Sequence, residues 1–196
     1  MANFYAHPTA IVESKKIGDN TKIWAYSHIL EGAEIGENCN IGDHCFIENG
    51  VKVGNRVTIK NGNMLFEGVE LEEGVFVGPH VFFTNDLYPR SPRLPEASQR
   101  YVDHSWCRPT LVKYGASLGA ASVVIAGVTI GQFATIGSGT VVTKPVAPYA
   151  LLIGNPGRQT GWVCQCGLKL DLVNNNAVCK SCGKKYLQDQ NGLTLI

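Results

Sequence analysis

The chain has 196 residues, 17 basic against 16 acidic side chains, a formal net charge of +1 and 44% hydrophobic residues. That length holds one full domain with a small appendage, and the near-neutral balance excludes a general binder of nucleic acid polymers or membrane surfaces. Seven cysteines, an odd number, do not suit a disulfide framework.

Met1 to Pro8 lacks the basic start and apolar core of a secretory signal, and no run approaches a membrane span, so a cytoplasmic location is expected. From Ile11 to Phe83 an aliphatic or aromatic residue returns at every sixth place: Ile11, Ile17, Ile23, Ile29, Ile35, Ile41, Ile47, Val53, Ile59, Leu65, Leu71, Val77, Phe83. An α-helix, with its period of 3.6, cannot keep one side inward at a strict six. A second series of small or β-branched residues, among them Thr21, Ser27, Ala33, Cys39, Cys45, Val51 and Val57, falls two residues before the first and shares its strand face. Gly18, Gly36, Gly42, Gly54 and Gly78 follow aliphatic residues, where a turn is expected. Each six-residue unit is thus a short strand and a corner that buries its inward side only by stacking, which makes an all-β parallel β-helix. Cys39 and Cys45 read as core residues on adjacent faces, not as metal ligands or a disulfide.

The beat stops over residues 84–110, a segment rich in Pro, Arg and aromatic residues, and a long break inside a regular repeat is a protruding loop suited to function. It resumes at Val112 and runs through Leu118, Val124, Ile130, Ile136 and Val142. Phe83 and Val112 lie 29 positions apart, so counting alone does not carry the register through the loop. Prolines between 145 and 156 are expected to terminate the stack and seal its edge. Cys164 and Cys166, then Cys179 and Cys182, with Gly after each pair, form a zinc-ribbon-like pattern for structural Zn²⁺, against the alternative of free thiols in a small hairpin. Two units are expected: residues 1–160, with the loop at 84–110, and a C-terminal zinc-ribbon-like β module at 161–196.

The hexads, the Phe83-Thr84-Asn85-Asp86 and Pro89-Arg90 motifs, and the later Gly154-Asn155-Pro156-Gly157-Arg158 resemble the hexapeptide-repeat acyltransferases over about residues 5–160. The branch is that of the N-acetyltransferases acting on nucleotide-linked 3-amino sugars. The resemblance implies a left-handed, triangular coil of eighteen residues, a homotrimer with sites between subunits, acetyl-CoA as donor, and a UDP- or dTDP-linked amino sugar for surface polysaccharide (O-antigen, lipopolysaccharide) as acceptor.

It also implies that Asn85 faces the acceptor amine. A sugar amine is substantially neutral near pH 7 to 8, so it needs aiming more than deprotonation, and an Asn side-chain oxygen can accept one of its protons. The alternative is that Asn85 merely caps the turn where the loop leaves. Two residues offer a base instead: Glu67, eighteen positions before Asn85, and His80 on an outward position. Asp86, Tyr88, Arg90 and Arg93 are candidates for the nucleotide sugar, and Arg90, Arg93 and Arg100 suit its diphosphate. Gly119, Ala120, Ala126 and Gly127 leave room for pantetheine along the backbone, and Lys144 and Arg158 suit the phosphates of CoA. Two other classes share the coil. A non-catalytic scaffold needs no intact loop, and a zinc hydratase of the γ-carbonic-anhydrase type needs three converging imidazoles, for which the five histidines show no closely spaced pair.

Overall fold

The computed structural model describes residues 3–190 and 192–196; Met1, Ala2 and Asn191, which belong to the expected units, lie outside the described residues. Most strands of the coil are two residues long, and they stack into three parallel sheets, the faces of a triangular prism. The first face starts at Tyr5–Ala6, the second at Ile11–Val12 and the third at Lys16–Ile17. Successive rungs are eighteen residues apart, as in Lys22 opposite Asn40 and Asn40 opposite Thr58. This is the left-handed β-helix of hexapeptide repeats.

The core follows the two series. Ile23, Ile29, Ile41, Ile47, Ile59, Leu65 and Leu71 are fully buried, with Ala33, Cys39, Cys45, Val51 and Val57 beside them. Burying each large aliphatic side chain contributes roughly 1.5–3 kcal/mol, and stacking is the only way such short strands obtain it. Cys39 and Cys45 are free, and burial pushes both thiols up. Polar members of the inner series bond between rungs. The Thr21 hydroxyl donates to Gly36 O and accepts from Cys39 N, while Asn63 donates to Gly78 O and accepts from Val81 N. Asn63 is fully buried yet satisfied on both sides, which is why an amide is tolerated in the core.

Two expectations are corrected. The strict beat begins at Ile17, not Ile11: Ile11 pairs with His28 and is 56% exposed, and Val12 pairs with Ile29 in its place. Val12 and Ile17 lie five positions apart instead of six, so the corner there is one residue short. The glycines after the aliphatic residues are not the positive-φ positions, which fall two residues later at Asn20, Asn38, Arg56 and His80. A Cβ on Gly54 would instead meet Glu73 N at 2.7 Å and Glu72 C at 2.9 Å, so close stacking of rungs demands the glycine there.

The loop leaves after Phe82–Phe83, between the second and third faces, and returns as Thr110–Val112. Val112 pairs with Leu71 forty-one positions earlier instead of eighteen, so the stack closes in register around the insertion. Asp86 and Cys107 bridge its stem, and Arg108 N donates to Asn85 O at 2.9 Å. At the far end the first face continues past Pro145 and Pro148 into Ala150–Ile153, where Arg158–Val163 reverses and adds an antiparallel strand. The hairpin, more than the prolines, covers that edge. Arg158–Val163 then pairs with Lys169–Leu170, and a three-stranded antiparallel sheet of Asn176–Val178, Lys185–Asp189 and Gly192–Leu195 follows.

Candidate active site

The corner between second and third faces carries the loop, and the predicted Asn85 and Glu67 meet there. Asn85 Nδ2 donates to Glu67 O at 3.3 Å, one rung below. No acceptor role for Asn85 Oδ1 occurs among the described residues, so that oxygen is available to a ligand. Thr84 Oγ1 accepts from Ala126 N at 2.9 Å on the next rung, which fixes the loop's first residue against the predicted pantetheine strip of Ala126 and Gly127.

A third residue joins this pair. His104 Nδ1 lies 3.6 Å from Glu67 Oε2, and its ring stacks on Trp106. Glu67 is itself held from below, since its N–H donates to Glu48 Oε2 at 2.8 Å. Cys107 Sγ donates to Glu67 O at 3.4 Å. Burial, then the charges of Glu67, Glu48 and Asp86, push the Cys107 thiol up, so it stays neutral and is a poor nucleophile. Counting back by eighteen found Glu67, but His104 and Cys107 sit in the aperiodic loop, where no count applies.

Asp86 and Arg100, both expected on the nucleotide sugar, instead pair with each other at the hub of the loop. Arg100 pairs with both Asp86 oxygens, Tyr101 Oη donates to Oδ2 at 2.9 Å and Tyr88 N donates to Oδ1 at 2.9 Å. The Arg100 guanidinium above all holds the Asp86 carboxyl down at about 2, so it is ionised at neutral pH and occupied by the loop itself. Tyr88, Arg90 and Arg93 project from the same loop with exposed side chains, and a cavity of about 240 Å³ lies between Tyr88, Trp106 and Arg108.

The remaining predicted residues divide between two corners. Ala126, Gly127 and Lys144 share the loop's corner, and Lys144 and Arg158 line one cavity of about 470 Å³ with Gly157 and Gln159. His80, Gly119 and Ala120 lie on the corner between first and second faces, where the His80 ring covers Gly62. Within one chain His80 therefore does not join Asn85. A surface groove of about 520 Å³ along Gly18, Gly36 and Gly54 contains none of the predicted residues.

Cys164, Cys166, Cys179 and Cys182 converge, with all four sulfurs within 4.8 Å of one another. They are the one set of three or more such donors gathered closely enough for a metal ion among the described residues, and no group of imidazoles is. Tetrahedral zinc thiolates at about 2.3 Å would space their sulfurs roughly 3.8 Å apart, which this cluster fits. Backbone N–H groups of Cys182 and Ser181 hold Cys179 down at about 6, favouring thiolate. Tyr186 Oη lies 3.1 Å from Cys164 Sγ and accepts from Gln165 N, which ties the cluster to a fully buried ring.

Residues 14–49 match the family model for the bacterial transferase hexapeptide, six repeats, and residues 32–67 and 115–144 match that for the hexapeptide repeat of succinyl-transferase. The dTDP-3-amino-3,6-dideoxy-alpha-D-galactopyranose 3-N-acetyltransferase of Aneurinibacillus thermoaerophilus is 54% identical over 182 residues, 93% of this chain and 90% of that protein. The chain belongs to the hexapeptide-repeat acyltransferases, in the branch of nucleotide-linked 3-amino-sugar N-acetyltransferases. As in its sequence, the acyltransferase repeat is matched on both sides of the loop and not across it. The bifunctional protein GlmU of Thermotoga petrophila is 42% identical over 57 residues, 28% of this chain and 13% of that protein. Among solved structures, AntD, an N-acyltransferase from Bacillus cereus in complex with dTDP and coenzyme A, is 15% identical with a TM-score of 0.48, covering 82% of this chain and 81% of that one.

Proposed function

We propose that the protein transfers the acetyl group of acetyl-CoA to the 3-amino group of a dTDP- or UDP-linked amino sugar destined for bacterial surface polysaccharide (O-antigen, lipopolysaccharide). The observation that carries this reading is the 54% identity, over nearly the whole chain, to an enzyme whose name specifies a dTDP-linked 3-amino sugar. The placement of Asn85 supports it. With Nδ2 engaged by Glu67 O, Oδ1 faces away to accept a proton of the neutral amine and so aims its lone pair at the thioester carbon. Lys144 and Arg158 in one cavity suit the phosphates of CoA, and the projecting Tyr88, Arg90 and Arg93 suit the nucleotide sugar, with Asp86 shaping the loop that presents them.

The site is completed by a homotrimer. Outward residues of the second face, Ile11, His28, Phe46, Met64, Phe82, Val123 and Val141, carry no acidic or Lys/Arg charge, and Met64 and Phe82 are 45% and 50% exposed. The third face presents Lys16, Glu34, Lys52 and Glu70 instead. Turning three second faces toward a common axis buries the apolar stripe and sets the first corner of one protomer against the loop corner of the next. His80, Gly119 and Ala120 then come opposite Asn85, Glu67, Ala126 and Gly127, which reunites residues that one chain keeps apart. Residues 161–196 act as a cap joined to the first face through Arg158–Val163 and built on a structural Zn²⁺ held by the four cysteines, and the enzyme works in the cytoplasm. No helix among the described residues is long and apolar enough to cross a membrane.

Acetyl-CoA turnover against a panel of dTDP- and UDP-linked 3-amino and 4-amino sugars tests the reading. Release of CoA thiol with 3-amino sugars alone is expected. Release with none of the panel, or only with 4-amino sugars, would overturn it.

A further inference from the structure

The cavity that holds Lys144 and Arg158 has two walls, residues 143–147 and 157–159, and both run within a few residues into the C-terminal cysteine module. The first wall leads to Tyr149, whose ring stacks on Phe133 and meets the fully buried Tyr186 edge-on. The second opens the strand Arg158–Val163, which ends immediately before Cys164. Val163 N donates to Tyr149 O at 2.8 Å and ties the walls together at their far ends. Gln165 Nε2 donates to Tyr149 Oη at 3.3 Å, and Cys164 Sγ lies 3.1 Å from Tyr186 Oη. Cys164 and Cys166 thus stand at the end of the coil's first sheet, whereas Cys179 and Cys182 sit in the turn between Asn176–Val178 and Lys185–Asp189, strands of a separate sheet. Among the described residues no ladder joins the two sheets, so the four gathered sulfurs are where a metal would staple them. Trp162 is buried at this junction, pairing with Ala150 and Leu170 in one sheet while its ring lies over Gly192 of the other. Toward the cavity the strand is less regular, since its pairing slips between Leu151 and Leu152. The hairpin tip is tied to the coil through Gly157 N and Val141 O, so loosening the far end tilts the strand without releasing it.

Resting on the acetyl-transfer reading above, we propose that this module is the clamp of the CoA phosphate site: a Zn²⁺ on Cys164, Cys166, Cys179 and Cys182 fixes the spacing of the Lys144 and Arg158 walls, and zinc content thereby sets the affinity for CoA. Lys144 and Arg158 are the binding residues, and Tyr149 and Trp162 are positioning residues that act through them. Two cations grip a phosphate well only at a fixed separation, because a guanidinium makes its paired bonds in a rigid fork. Stapling the sheets holds that separation before CoA arrives. Without the metal, CoA must order the second wall itself, and the ordering subtracts from its affinity. The coupling is reciprocal, so bound CoA tightens the hold on zinc. Cys166 and Cys182 are exposed, which lets a chelator reach the cluster from solvent.

The test is calorimetric binding of CoA to the protein with its zinc, to protein stripped by a chelator and to stripped protein resupplied with Zn²⁺, with circular dichroism as a check on the coil. Stripping is expected to weaken CoA binding about 10-fold, within the ordinary range of coupling between sites, and Zn²⁺ to restore it. In turnover by the stripped wild type, the KM for acetyl-CoA should rise by the same factor while kcat and the KM for the nucleotide sugar stay within about twofold. Arg158→Ala should bind CoA more weakly from the start, and stripping should then change its affinity by less than about twofold, because the cation that the clamp positions is gone. Tyr149→Leu cuts the link but keeps all four cysteines. It should bind CoA as weakly at full zinc content as the stripped wild type does, and it decides the matter should stripping unfold the coil. Equal CoA affinity with and without zinc, an undiminished loss on stripping Arg158→Ala, wild-type affinity in Tyr149→Leu, or protein purified without chelator that carries no zinc would each overturn the clamp. A wild type that binds no CoA at all would strike the acetyl-transfer reading instead, so the two failures are separable.

Discussion

At Asp86 four hydrogen-bond donors converge on one carboxylate, and this explains how a loop of proline, arginine and aromatic residues keeps a single shape. Its folded pKa of about 2 lies below the ordinary carboxylate value of about 3.9, so the pairing stabilises only while Asp86 is ionised. The contribution is complete above about pH 4 and disappears as pH falls to about 2. Melting of the wild type and Asp86→Asn between pH 7 and pH 2 should therefore give two curves, well separated at neutral pH and converging in the acid window. Parallel curves would mean that the carboxylate adds no ionisation-dependent stability. Neutral Cys107, raised by burial and three carboxylates, is by the same reasoning unreactive toward alkylating agents at pH 7 compared with an exposed thiol.

The coil, the loop and the C-terminal cysteine knuckle at residues 161–196 are held by different physics. Rungs stack so closely that a methyl group has no room at Gly54, and Gly54→Ala is expected to cost about 1–3 kcal/mol through overpacking, read as a lowered denaturation midpoint with unchanged slope. An unaltered midpoint would mean that the rungs yield more than their spacing allows. The knuckle leans on the coil through an aromatic column in which Phe133 stacks on Tyr149 and Tyr149 meets Tyr186 edge-on, beside Cys164. On the proposal that the four cysteines hold roughly one Zn²⁺ per chain, a chelator should release it and lower the melting temperature, since a structural metal contributes to folding. Protein purified without chelator that contains no zinc, with all four thiols freely titratable, would contradict a metal knuckle.

For the whole molecule, the proposed trimer buries the apolar second face, and Phe82→Glu, placed at its middle rungs, should convert it by light scattering into monomers with little acetyl transfer. Monomers that remain fully active would place the complete site within one chain. The architecture was legible because a period of six survives any substitution that keeps inward residues apolar, and counting by eighteen correctly set Glu67 beneath Asn85. The short first corner was not legible, because Ile11 and Val12 are both apolar and the count does not say which turns inward. Neither was the loop. Asp86 and Arg100, or Glu67 and His104, meet through irregular turns that leave no periodic trace, and residue type alone assigned Asp86 to the substrate rather than to its neighbours. The convergence of the four cysteines was legible despite the shortened first pair, since the turns after Cys164 and Cys179 bring the sulfurs together at either spacing. The most direct test is steady-state acetylation of dTDP-3-amino-3,6-dideoxygalactose at saturating acetyl-CoA by the wild type and Asn85→Ala, with the product identified by mass spectrometry. The wild type is expected to yield the 3-acetamido sugar, and Asn85→Ala to lose most of kcat with its KM for acetyl-CoA little changed. No acetylated product from the wild type, or equal rates from the two proteins, would contradict the account.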